Sequence, residues 1–343
     1  MRIEAIEFQL GSRVEGLSDL SDDNPEWQTD RLFAKTGVER RHLLASNETP
    51  LRLAEGACNR LFQQTGKRKV GGLIYVTQSP ESTIPTTACL LHETLGLEEA
   101  CLAFDLNQGC SGFVYGLSVA SGLIKSQAID SCLVVCAEGY SRYISPHDRT
   151  CRPIFSDGAS AALVVDDGEG DIGPFVFATD GSGAPNLPLL QKAENDGSSR
   201  QVLHMNGPKV LDFTMEAVPK YVCKLLHRSS LSVEDVDLFI FHQASKVVFD
   251  RVARKLALGE EKIFRNYREV GNTVSATIPV AMKEALGADV LRPGMTVVLM
   301  GFGVGYSLAG CILRTGAGQQ VTGSGESGNV SQALFGAQRL SPC

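Results

Sequence analysis

Phe104-Asp105-Leu106-Asn107-Gln108-Gly109-Cys110-Ser111-Gly112-Phe113 is the stretch that decides how this chain folds. The apolar run from Cys101 to Phe104 reads as the end of a buried strand, and residues 112–120 read as a buried helix. Between them one cysteine stands among small residues. A cysteine at a strand-to-helix junction lies at a helix N-terminus, where the partial positive charge favours thiolate over thiol. A thiolate is the nucleophile that acyl transfer needs. Cysteine is also common core filler, and Cys58, Cys89, Cys223 and Cys311 are read that way. Cys110 is set apart by its neighbours.

Outward from this junction, short apolar runs alternate with helical patterns, the signature of α/β architecture. Strands are expected at 72–76, 132–136, 161–165, 238–241, 296–300 and 308–313, and their continuous apolar character predicts burial on both faces. The two halves of the chain rhyme. Gly72 to Ser79 resembles Leu238 to Ser245, each a strand followed within two residues by Gln78 or Gln243. About thirty residues on, Gly109-Cys110-Ser111 matches Gly271-Asn272-Thr273, and each is followed by a helix of small residues. A strand follows in each half, and each half closes on a glycine- and alanine-containing strand, 158–163 and 305–311. A repeat this long implies a duplicated domain. The halves are assigned to residues 1–169 and 170–314. Residues 315–343, rich in Gly, Ser and Gln with little to bury, are read as a disordered tail.

The chain has 343 residues, 43% hydrophobic and 21% charged, enough for a large core. A net charge of −7 argues against a dedicated nucleic-acid binder. No leader opens the sequence, and no stretch is apolar enough for a membrane span. The ten cysteines show no metal spacing; Cys132 and Cys136 fall on one strand. These features predict a cytoplasmic protein with reduced thiols, no metal and no membrane partner.

Duplication brings equivalent strand ends together. The second half offers His242, directly after a strand, and Asn272, at the position matching Cys110. Alone, His242 reads as a core histidine and Asn272 as a helix cap. With Cys110 they give a nucleophile, an imidazole and a neutral amide. Two such donors on one thioester oxygen stabilise an enolate as it develops on loss of carbon dioxide.

Gln108-Gly109-Cys110-Ser111-Gly112-Phe113, His242-Gln243-Ala244 and Gly271-Asn272-Thr273-Val274-Ser275-Ala276-Thr277-Ile278-Pro279 resemble the active-site motifs of thiolase-like condensing enzymes, β-ketoacyl-acyl-carrier-protein synthase III above all. The resemblance covers roughly residues 1 to 314. It implies a five-layered αβαβα fold, a homodimer and a Cys110-His242-Asn272 triad. It also implies acyl-CoA as donor, malonyl-acyl-carrier protein as acceptor, and no cofactor beyond these substrates. The loop 301–305 resembles the family's glycine-rich loop, so Gly303 would give an oxyanion N–H beside that of Cys110. Asp148-Arg149 resembles the pair whose arginine holds the coenzyme A nucleotide. Arg31 falls at the spacing of the family's nucleotide-stacking tryptophan, while Trp27 lies four residues earlier. Ile84 matches an acyl-pocket position that often carries Phe. In the histidine motif, Ser245 and Val247 replace the usual Asn and Arg, so Lys246, Arg251, Arg254 and Lys255 are the expected carrier-protein contacts. These departures point to a donor other than acetyl alone. Two other functions stay open: an acyltransferase forming an ester or amide, and a non-catalytic partner subunit.

Overall fold

A computed structural model describes residues 1–66, 69–193 and 198–316. The five-stranded sheet orders Arg2–Leu10, Gly158–Val165, Ser131–Glu138, Gly72–Val76 and Leu102–Leu106, so among the described residues Leu102–Leu106 is an edge strand. The four-stranded sheet orders Leu238–Phe241, Thr296–Gly303, Ser307–Arg314 and Asp171–Thr179. Within each sheet the central pairings follow one plan: a parallel pair, Gly72–Val76 with Ser131–Glu138 and Leu238–Phe241 with Thr296–Gly303, then antiparallel neighbours.

The apolar runs are buried on both faces because alternate side chains serve different layers. Ile74, Val76, Val134, Leu238, Ile240, Val297 and Leu299 face a central core shared by both sheets. Phe113 and Leu117 of helix Gly112–Lys125, and Ile278 and Met282 of helix Thr277–Gly287, fill that core. Leu73, Tyr75, Leu133 and Val135 face outward onto helix Pro50–Thr65. Phe239, Phe241, Val298 and Met300 face outward onto helices Gly207–Arg228 and Lys246–Lys255. Helix, sheet, helix, sheet, helix is the αβαβα order.

Several strands run past their apolar stretches. Thr296–Gly303 continues three residues beyond Met300 because Gly303 still pairs with Ser307 across a tight hairpin. Among the cysteines, Cys58 and Cys311 are buried, but Cys89 is exposed on helix Thr87–Thr94 and is not core filler. Thr315, assigned by sequence to the tail, is instead anchored: its hydroxyl donates to the Arg292 carbonyl at 2.7 Å, and its N–H to that of Met295. Gly316 is also described, and residues 317–343 of the tail reading lie outside the described residues. Among the described residues, no helix is long and apolar enough to cross a membrane.

Candidate active site

Cys110 lies two residues ahead of helix Gly112–Lys125 and is 5% exposed. Tyr140, Phe155, Leu187, Leu203 and Val274 pack in one apolar cluster with it. The loop from the second half presses onto it from the other side. A Cβ on Gly303 would fall 2.8 Å from Cys110 Sγ, and one on Gly301 would fall 2.6 Å from the Cys110 carbonyl oxygen. Only glycine permits that approach. Ser111 and Ser307 join the halves beneath it through a 2.7 Å hydroxyl pair.

Burial pushes the Cys110 thiol up to about 12, against the opposing pull of the N–H groups of Val304 and of Cys110 itself. Desolvation thus works against the thiolate that the helix terminus favours and holds the group toward the thiol. The loop N–H directed at the sulfur belongs to Val304, one residue beyond the Gly303 chosen from sequence. Gly303 supplies the clearance instead.

His242 follows strand Leu238–Phe241, and its N–H donates to the Met300 carbonyl, which fixes the backbone. Its ring stands edge-on to Phe302 and is 2% exposed. Burial lowers the imidazole to about 3, although the Val274 carbonyl favours its charged form. The ring is neutral. Its Nδ1 lies 2.7 Å from the Thr277 hydroxyl, and its Nε2 lies 3.4 Å from Asn272 Nδ2. The orientation of Asn272 is set locally: Oδ1 accepts from the Val274 N–H at 2.9 Å, which leaves Nδ2 as the presented donor. The Asn272 backbone is clamped to the first half by its N–H to the Ile154 carbonyl and its carbonyl from the Ser156 N–H.

Sequence reasoning missed Glu138. It ends strand Ser131–Glu138, is wholly buried, and accepts from the hydroxyls of Ser79 and Ser275 at 2.8 Å each. The Gln78 N–H also donates to it, at 3.1 Å. Burial raises its carboxyl to about 7 despite these donors. A charged residue closing an unbroken apolar strand was the available signal. Gln78, which the repeat places after its strand, has its Oε1 accepting from the Tyr140 hydroxyl at 2.7 Å, a polar pair beside the apolar cluster.

The remaining sequence candidates do not converge on Cys110. Arg149 and Arg31 are exposed, as a nucleotide contact requires. Trp27 is 7% exposed, so its ring is core and presents no stacking face; this corrects its assignment as a substrate contact. Ile84 is 89% exposed and stands outside the Cys110 cluster of its own chain. On helix Lys246–Lys255, Arg251 and Arg254 are exposed. Lys246 pairs with Asp250, and Lys255 Nζ donates to the Met215 carbonyl.

The profile described as 3-oxoacyl-[acyl-carrier-protein (ACP)] synthase III matches residues 104–181, and its C-terminal counterpart matches residues 226–315. A β-ketoacyl-[acyl-carrier-protein] synthase III of Natranaerobius thermophilus is 32% identical over 313 residues, spanning 88% of this chain and 94% of its own. A solved 3-oxoacyl-(acyl-carrier-protein) synthase III superposes with a TM-score of 0.86 at 37% identity, covering 91% of this chain and 99% of its own. The priming β-ketosynthase of a polyketide biosynthetic pathway superposes with a TM-score of 0.84 at 25% identity, covering 92% and 96%. With the αβαβα layers and the Cys-His-Asn constellation already in view, these likenesses make the chain a member of the β-ketoacyl-[acyl-carrier-protein] synthase III family.

Proposed function

We propose that this chain is a decarboxylative condensing enzyme with Cys110 as the acylated residue. The thiol attacks the carbonyl of an acyl-CoA, its proton leaves by way of the His242 imidazole, and coenzyme A departs as the thiol. A malonyl thioester then enters. His242 and Asn272 donate to its thioester oxygen, carbon dioxide leaves, and the enolate attacks the acyl group on Cys110. The N–H groups of Cys110 and Val304 hold the resulting oxyanion until it collapses: the C–S bond to Cys110 breaks, the β-ketoacyl group leaves on the acceptor's thioester, and the released Cys110 thiolate takes up a proton. The observation that carries this reading is the neutral His242 beside an Asn272 whose free group is its amide donor. Such donors act on charge that develops in a site from which water is excluded.

The acceptor we infer is malonyl-acyl-carrier protein, guided by Arg251 and Arg254, with Arg149 and Arg31 toward the donor's nucleotide. A homodimer fits the edge strand Leu102–Leu106, where Leu102 is 38% exposed and close in kind to the exposed Ile84. Dimerisation is also the route by which an Ile84 remote from its own Cys110 would meet a substrate. The exchange of residues at Ile84, Ser245 and Val247 supports a donor other than acetyl alone. Intact-protein mass spectrometry after incubation with a panel of acyl-CoA thioesters tests the first step, and malonyl-dependent release of carbon dioxide tests the second. Cys110→Ala should give no adduct at short times. Asn272→Ala should acylate normally and condense ~10²–10³-fold more slowly. Acylation without carbon dioxide release would instead favour simple acyl transfer.

A further inference from the structure

We propose that Thr277 is a positioning residue that lets His242 act as a hydrogen-bond donor in the malonyl half-reaction. The inference rests on the condensing-enzyme reading above. The Thr277 hydroxyl lies 2.7 Å from His242 Nδ1 and 3.0 Å from the Val274 carbonyl oxygen. Thr277 is 1% exposed and opens helix Thr277–Gly287, so its backbone is fixed by the helix. The Val274 carbonyl also faces the ring.

A neutral imidazole carries one ring proton, and the partners of one nitrogen decide which nitrogen holds it. A carbonyl only accepts. While the Thr277 hydroxyl donates to the Val274 carbonyl it offers Nδ1 only a lone pair, which favours the proton on Nδ1 and leaves Nε2 as a bare lone pair. That form suits removal of the Cys110 proton, and Asn272 Nδ2 at 3.4 Å faces it as a donor. In the second half-reaction Nε2 must donate alongside Asn272, so the proton must sit on Nε2 and Nδ1 must accept. Among the described residues in contact with Nδ1, only the Thr277 hydroxyl can donate to it. Rotated toward Val274, the hydroxyl accepts from Nδ1–H; rotated toward the ring, it donates to Nδ1. Both tautomers are neutral and hold the same number of protons. The hydroxyl changes only which is lower in free energy.

Thr277→Val keeps the shape and removes the hydroxyl, which takes away, among the described residues, the one group in contact with Nδ1 that can donate to it. Acylation of Cys110, followed by mass spectrometry, should stay within about twofold, while carbon dioxide release from malonyl-acyl-carrier protein should fall about 10²-fold, as for loss of one oxyanion donor. Thr277→Ser should restore release to within a few-fold of the parent. The ¹⁵N shifts of the His242 ring should move toward the Nδ1–H form in Thr277→Val and return in Thr277→Ser. Unchanged release, equal loss of both half-reactions, or no rescue by serine would overturn the proposal, as would unchanged ring shifts. A parent enzyme that never acylates or releases carbon dioxide would sink the condensing reading instead, and the ring shifts would still decide the part of Thr277.

Discussion

Burial pushes the Cys110 thiol up and the His242 imidazole down, and both shifts work against a standing ion pair between them at neutral pH. Deprotonation must accompany attack, with the developing sulfur charge met by the N–H groups of Val304 and Cys110. Alkylation of Cys110 by iodoacetamide, read by peptide mass, should therefore rise about tenfold per pH unit from 7 to 10 without a plateau, because thiolate is the reactive form. A plateau near neutrality would reveal a thiolate–imidazolium pair and contradict the neutral site. The placement of Cys110, His242 and Asn272 was legible because each sits at a local junction that sequence displays: strand to helix, strand end, repeat match. Thr277, Glu138 and Val304 were not. Ser275 reaches Glu138 from 137 positions away and Thr277 reaches His242 from 35, and no local pattern records such meetings.

At the scale of elements, the buried strands were legible because continuous apolar runs have few other uses in an α/β chain. Their ends were not, since the glycines after Met300 pair in a hairpin without adding hydrophobicity. The ribbon Leu189–Ala193 with Ser199–Leu203 also escaped notice: its first strand is exposed throughout, so burial imposes no alternation on it. Helix Lys246–Lys255 shows the reverse case. Its basic residues were visible in sequence, but the fold divides them into two engaged lysines and two free arginines. The double variant Arg251→Glu, Arg254→Glu should raise KM for malonyl-carrier protein about tenfold at low salt, because surface charge governs encounter more than chemistry. Steady-state kinetics with acyl-CoA varied should show the first half-reaction untouched. An unchanged KM for the carrier would remove this helix from the docking surface.

Across the whole molecule, Glu138 fastens the halves by holding Ser79 of one and Ser275 of the other. Its carboxyl is raised from an ordinary 4.5 to about 7 by burial. Below 4.5 folded and unfolded forms both hold the proton. Between 4.5 and 7 the unfolded chain loses it first, so stability falls as pH rises and levels off above 7. At about 1.4 kcal/mol per unit, the loss is roughly 3 kcal/mol. Glu138→Gln cannot titrate, so its melting temperature relative to the parent should climb between pH 5 and 8; a constant offset would refute this. The repeat was legible in sequence, whereas this fastening was not, because it exists only where the two copies touch. The exposed turn of residues 166–169, between the last strand of one sheet and the first of the other, has a consequence of its own. It is a natural place to sever the polypeptide. Two genes, ending and beginning there, would each encode one whole sheet but only part of the reactive set. Neither product alone should turn over substrate, and both would expose the shared central layer. Produced together they should reconstitute activity, with a yield that rises with the product of the two concentrations and so reads the affinity between halves as a dissociation constant.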